Sequence, residues 1–351
     1  MDIFSILKKA INLEASDVHI IEGTYAKARI VNKFVNLTEN ILSGLDIKNM
    51  VVELIGYDKL ERIQEKGQID ISYCLQTGER FRINIYLQRG YYSLSIRLIK
   101  KYIPPFESLN LPPSLLDFTK KKKGLILITG PTGSGKSTTL ASLIDIINHT
   151  KQSHIITLED PIEYIHYHDK SIISQREVGK DLINFNEGLV SALRQDPDVI
   201  LIGEMRDTQT ISIALRAAET GHLVLSTLHT IGSAKTIDRI IDSFPSNQQE
   251  QIRCQFSTVC EGIISQQLLP SKDEMNNIVA TEVMIPNPAI RNLIRENKIY
   301  QIKNCIQTGL KQGMQSMDQD LIRLFKEGKI SKEVVLNNCT DYEYVNRFIS
   351  N

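Results

Sequence analysis

Between Gly124 and Asn148 the chain reads GLILITGPTGSGKSTTLASLIDIIN. This order of residues leaves little freedom. An apolar run from Leu125 to Thr129 leads into a loop of Gly130, Pro131, Thr132, Gly133, Ser134 and Gly135. Lys136, Ser137 and Thr138 then open a segment in which Leu140, Leu143, Ile144 and Ile147 recur at i, i+3, i+4 and i+7. The spacing predicts strand, glycine-rich loop and helix in succession. Glycines let successive backbone N–H groups close round phosphate oxygens, and the helix N-terminus adds partial positive charge. Lys136 is placed to reach the β- and γ-phosphates of a nucleoside triphosphate, and Ser137 to hold Mg2+. The chain is therefore expected to bind a nucleotide, and its use of that nucleotide must be read from the remaining residues.

A strand feeding a phosphate loop belongs to a parallel sheet, and the downstream sequence supplies neighbours. Ile155 to Leu158 reads as a buried strand with Glu159, Asp160, Pro161, Ile162 and Glu163 at its carboxyl end. Val199 to Ile202 is a second, delivering Gly203 and Glu204. Leu223 to Ser226 is a third, flanked by His222 and His229. Helical segments over 209–219 and 237–241 alternate with them, which predicts an α/β, RecA-like domain. Ligands bind outside the carboxyl ends of such strands, so Glu163 and Glu204 are the first candidates for chemistry and Glu159 the next. Phosphoryl transfer to water needs one group to orient the water and another near Mg2+. Glu163 is assigned to the water and Glu204 to the Mg2+ shell, with the reverse left open. His222 and His229 are either polar residues closing strand ends or sensors of the γ-phosphate. His166 and His168 make an isolated H-x-H and are read as surface histidines.

At 351 residues the chain has room for two domains. Residues 1–99 are expected to form a smaller α+β domain and 114–351 the RecA-like domain. Between them Pro104, Pro105, Pro112 and Pro113 mark a linker over 100–113. Residues 1–13 place Phe4, Leu7 and Ile11 on one helical face, and 46–66 read as one helix ending before Gly67. The next segment carries the most information in this domain. With a two-residue turn at Arg89 and Gly90, Phe81 faces Leu98, Ile83 faces Ile96, Ile85 faces Leu94 and Leu87 faces Tyr92. The same register sets Arg82 opposite Arg97. Like charges opposed across a pair are unfavourable, so these are either two solvated arginines or a clamp for an anion. Lys+Arg and Asp+Glu both number 41, and a net charge of zero weighs against a nucleic-acid motor. Five cysteines without a CxxC pair indicate free thiols in a reducing compartment. No apolar run is long enough to span a bilayer.

Together these motifs resemble the type II/IV secretion ATPase superfamily, the ATP-driven motors of pilus and secretion machines. Within it they resemble the PilT-type pilus-retraction ATPases. The resemblance runs through ASDVHI at 15–20, RFRIN at 80–84, GPTGSGKSTT at 130–139, TLEDPIEY at 157–164 and ALRQDPDVILIGEMRD at 192–207. It continues through AAETGHLVLSTLHT at 217–230, AIRNLIRE at 289–296 and GMQSMDQDL at 313–321.

The resemblance implies a homohexamer of two-domain subunits, the N-terminal domain PAS-like, with ATP and Mg2+ bound between domains and neighbouring subunits. Turnover would move one domain against the other and drive an inner-membrane pilus platform protein. Arg82 and Arg97 would approach the γ-phosphate, and His222 and His229 would belong to the active site. Arg291 and Arg295, which pattern alone puts on an ordinary surface helix, would lie on a coupling element for retraction. The expected location is cytoplasmic, peripheral at the inner face of the cytoplasmic membrane, with no nucleic acid bound and no direct membrane insertion. Pilus assembly and secretion ATPases of the superfamily are the rival reading. They usually carry an extra N-terminal domain and often a tetracysteine zinc site, neither of which is seen here. The chain departs from the family in having no arginine between Arg97 and Arg176, where Lys100 or Lys101 would have to substitute.

Overall fold

The computed structural model describes residues 2–30, 33–99, 102–273 and 276–349, and the chain divides into two compact units, Met1–Tyr102 and Ile103–Asn351. Lys100 and Lys101 lie outside the described residues.

The first unit holds strands β1 (Asp17–Ile20), β2 (Lys27–Ile30), β3 (Lys33–Asn36), β4 (Gln68–Cys74), β5 (Arg80–Gln88) and β6 (Tyr91–Ile99). They form an antiparallel sheet in the order β3-β2-β1-β6-β5-β4. The β5–β6 hairpin has the register that alternation demands, Phe81 on Leu98 through Leu87 on Tyr92. Its turn takes positive φ at both central residues, 52° at Arg89 and 85° at Gly90, matching the right-handed twist of the strands. Phe81, Ile83, Ile85, Leu94 and Ile96 are fully buried beneath it.

The opening helix, Ile3–Asn12, is capped by Asp2, whose carboxylate accepts from Ser5 N at 2.8 Å. It turns Ile3, Ile6, Leu7 and Ala10 into the unit's own core, with Phe4 and Ile11 at the margin. The expected single helix over 46–66 is two, Gly44–Ile55 and Leu60–Lys66, because Gly56 takes φ 74° and ends the first.

Arg82 and Arg97 do face each other, and the register extends their row to Asp17 on β1 and Arg29 on β2. Arg97 Nε donates to Asp17 Oδ1 at 3.0 Å. A carboxylate thus already sits beside the opposed arginines, so their pairing requires no bound anion to explain it.

The second unit contains β7 (Gly124–Thr129), β8 (His154–Glu159), β9 (Ile172–Glu177), β10 (Val199–Ile202), β11 (Leu223–Leu228), β12 (Cys260–Pro270) and β13 (Asn277–Met284). The order is β13-β12-β7-β11-β10-β8-β9, parallel throughout except for β13. β7 lies inside the sheet, between β12 and β11, and is buried on both faces. Leu125 and Leu127 join one hydrophobic cluster, while Ile126 and Ile128 join the other, as side-chain alternation requires. The helix Lys136–Thr150 covers the second face with Leu140, Leu143, Ile144 and Ile147. The proline-rich stretch is no free linker. Phe106 and Leu111 are buried in that same cluster, and short 3-10 turns at Phe106–Leu109 and Pro113–Leu115 fold it down. Four prolines signal irregular backbone, and an irregular backbone can still pack. Among the described residues no helix is long and apolar enough to cross a membrane.

Candidate active site

Four strands of the parallel sheet deliver the site from their carboxyl ends. β7 runs into Gly130–Gly135, β8 into the loop bearing Glu163, β10 into Glu204, and β11 into His229. Gly130 is required by its surroundings, since φ is 142° and a Cβ there would lie 2.3 Å from Gln266 O. The helix beginning at Lys136 has Gly135 as its N-cap and no side-chain cap bond, so its first N–H groups are left for a ligand. Thr129 Oγ1, Ser134 Oγ and Gln266 Oε1 are buried without hydrogen-bond partners among the described residues. Such unmet polar groups at a phosphate loop suit a polar guest.

Lys136 is only 8% exposed. Its Nζ donates to Gly130 O at 2.8 Å and Pro131 O at 2.9 Å, and lies 3.5 Å from His229 Nδ1. Burial pulls its ammonium below the usual lysine range, and the charges of Glu204 and Glu163 act against that. Because an ammonium only donates, His229 Nδ1 must accept, which leaves the ring proton on Nε2. His229 Nε2 faces Glu204 Oε2 at 3.3 Å, so one imidazole links the phosphate-loop lysine to the β10 carboxylate. The other carboxylate oxygen of Glu204 pairs with Arg206, whose guanidinium is held above its ordinary value chiefly by that bond. The donors available to Mg2+, the Ser137 hydroxyl in the first turn of the helix and the Glu204 carboxylate just beyond β10, are hard oxygens and fit that ion.

Glu163 is exposed, on a loop whose neighbours are fixed. Tyr164 is buried and its hydroxyl bonds Thr138 Oγ1 at 2.9 Å, tying the loop to the helix of the phosphate site. Glu159, by contrast, is engaged. Its Oε1 accepts from Thr157 Oγ1 at 2.7 Å and Gln175 Nε2 at 3.1 Å, and burial pushes its carboxyl above the usual range. That arrangement holds structure and does not present a base to water.

Two histidine expectations change. His222 sits at the amino end of β11, paired level with the start of β7, and its Nδ1 lies 2.9 Å from Ala217 O. Seven residues of extended chain separate it from His229, roughly 20 Å, so this domain does not bring it to the phosphate loop. His166 is buried, not superficial, and burial drops its pKa to about 4. His168 Nδ1 accepts from Ile173 N at 3.1 Å, a loop-to-strand tie.

Arg291 and Arg295 are unlike each other. Arg291 Nη1 donates to Ser257 O at 2.6 Å and Thr258 O at 2.9 Å, while Nη2 pairs with Glu261 at 3.0 Å. It therefore caps the C-terminal end of the helix Ser246–Val259 and holds the helix Pro288–Arg295 on it. Arg295 is exposed. Arg291→Lys replaces a planar fork by a point charge and should cost about 1–3 kcal/mol. The calorimetric melting midpoint should fall, while Arg295→Ala should stay within about 0.5 kcal/mol of wild type.

Arg206, Tyr164 and Gln175 were not anticipated from sequence. Arg206 carried a signal, two residues beyond the β10 glutamate, whereas Gln175 carried none.

A family model described as type II/IV secretion system protein matches residues 2–314. A twitching motility protein of Neisseria gonorrhoeae is 44% identical over 309 residues, 88% of this chain and 82% of its own. The type IV pilus retractation ATPase PilT of Pseudomonas aeruginosa is 41% identical over 333 residues, 95% of this chain and 96% of its own. A crystal structure of the pilus retraction motor PilT with bound ADP superposes with a TM-score of 0.92 at 46% identity, covering 99% of each chain.

Proposed function

The chain belongs to the type II/IV secretion system protein family, and from that premise we propose that it is an ATP-hydrolysing motor that powers type IV pilus retraction. The observation that carries the reading is the Lys136–His229–Glu204 link, set at the carboxyl edge of a sheet in a chain alike over 99% of its length to a retraction motor. In this reading the phosphates of ATP replace Gly130 O and Pro131 O at Lys136 Nζ. Ser137 and Glu204 would hold Mg2+, which would supply charge neutralisation to the phosphates. Glu163 orients the attacking water and takes its proton. Arg206 and His229 hold the Glu204 carboxylate in one orientation. Thr132, Gly133 and Thr138 complete the cradle.

The working form is a homohexamer in the cytoplasm, at the inner face of the cytoplasmic membrane, without bound nucleic acid. Arg82 and Arg97 close the site from a smaller domain, that of a neighbouring subunit. Loss of the γ-phosphate releases the two domains, and the motion is passed to the pilus platform protein, with Arg295 on the exposed side of the coupling helix. The test is gene deletion with imaging of pili, alongside ATPase measurement on the purified chain. Hyperpiliated cells that cannot twitch are expected. Bald cells would move the protein to pilus assembly, and hydrolysis stimulated by DNA would overturn the pilus reading.

A further inference from the structure

Glu163 stands on a loop that is not part of any strand, yet a general base must be held to within a fraction of an ångström. β9, at the edge of the sheet beside β8, supplies the restraint. Gln175 and Glu177 are two apart on it and so share a face. Gln175 Nε2 donates to Tyr164 O at 2.8 Å and to Glu159 Oε1 at 3.1 Å, and its Oε1 accepts from His166 N at 2.8 Å. All three hydrogen-bonding positions it uses are on one loop or at its root. Glu177, itself buried, accepts from Ile162 N at 3.2 Å.

The pattern at Gln175 has a plain meaning. A carboxamide that donates to O of one residue and accepts from N two residues later makes the two bonds that the N–H and C=O of one residue in a parallel neighbour would make. The loop from 162 to 166 leaves the sheet, and the Gln175 side chain replaces the missing strand. The residues on both sides of Glu163 are thereby tied, Ile162 through its N–H to Glu177 and Tyr164 through its carbonyl to Gln175, and a third tie runs from the Tyr164 hydroxyl to Thr138.

We propose that Gln175 is a positioning residue for hydrolysis, acting through Glu163 by standing in for a strand neighbour of the loop that carries it. This rests on the reading of Glu163 as the base, so the experiment separates the two. Gln175→Met keeps the shape and removes all three bonds. In full-length protein its kcat should fall roughly 10- to 100-fold, the loss expected of a misplaced catalytic group, with KM for ATP within about threefold. In a Glu163→Gln background the same change should cost less than about threefold more, because both act through one group.

A Glu163→Gln protein with wild-type turnover would sink the reading of the base. A Glu163→Gln protein that is impaired, with Gln175→Met at wild-type kcat, raising KM alone, or additive in the double variant, would sink only the role of Gln175. Should Gln175→Met fail to fold, Gln175→Glu, which keeps the acceptor for His166 N, gives the same measurement. Loss of fold in both would assign Gln175 to stability and overturn the proposal.

Discussion

Lys136→Ala should lose ATP binding and, with it, every nucleotide-dependent rearrangement. The lysine is the one ammonium folded into the phosphate loop, and its Nζ is satisfied there by two backbone carbonyls at 2.8 and 2.9 Å. Phosphate oxygens would exchange for those carbonyls and gain a full charge interaction with an ammonium that is itself largely buried. Removing one partner of such a charged pair costs about 2–5 kcal/mol, roughly a 30- to 4,000-fold rise in Kd. The fold should survive, because burial disfavours this ammonium and alanine removes that cost. Isothermal titration with ATP measures the loss. Energy transfer between labels on the two domains should then show no change on adding ATP. Binding within threefold of wild type would remove Lys136 from the site.

Glu163→Gln should do the converse. Its side chain is exposed and no hydrogen bond or ion pair of it is found among the described residues, so ATP should bind within about threefold of wild type. A general base contributes about 10²–10⁴ to turnover, and kcat should fall by that factor. Comparison with Glu204→Gln distinguishes the two carboxylates. Glu204 faces His229 and Arg206, and its loss should raise the Mg2+ concentration needed for half-maximal rate, which Glu163→Gln should leave unchanged. If the Mg2+ requirement moves with Glu163 instead, their roles are reversed.

The hairpin of β5 and β6 was legible in full, register included, because period-two alternation and a two-residue turn are both local. The phosphate loop was legible for the same reason. β9 was not read, since its Ser174, Gln175 and Arg176 interrupt the apolar run that marks a buried strand, as an edge position allows. The packing of the proline-rich stretch on the second unit was not legible, because proline reports backbone geometry and not packing. His222 was grouped with His229 by their common strand, whereas the direction of that strand sends one to the amino end and the other to the carboxyl end of the parallel strands.

The sequence alone determined the strand–loop–helix, the carboxylates at the ends of β8 and β10, and the opposed arginines, for each depends on residues within a turn or a strand of one another. The tertiary structure decided which of these groups meet. His229 reaches Lys136 across 93 residues, and Gln266 reaches Thr139 across 127, donating to its hydroxyl at 2.8 Å. It alone set Asp17 beside Arg97, turned Glu159 toward Thr157 and Gln175, and laid Gln175 along the loop of Glu163. Local periodicity carries no information about partners that distant in the chain. Their meeting follows from the order in which the strands enter the sheet.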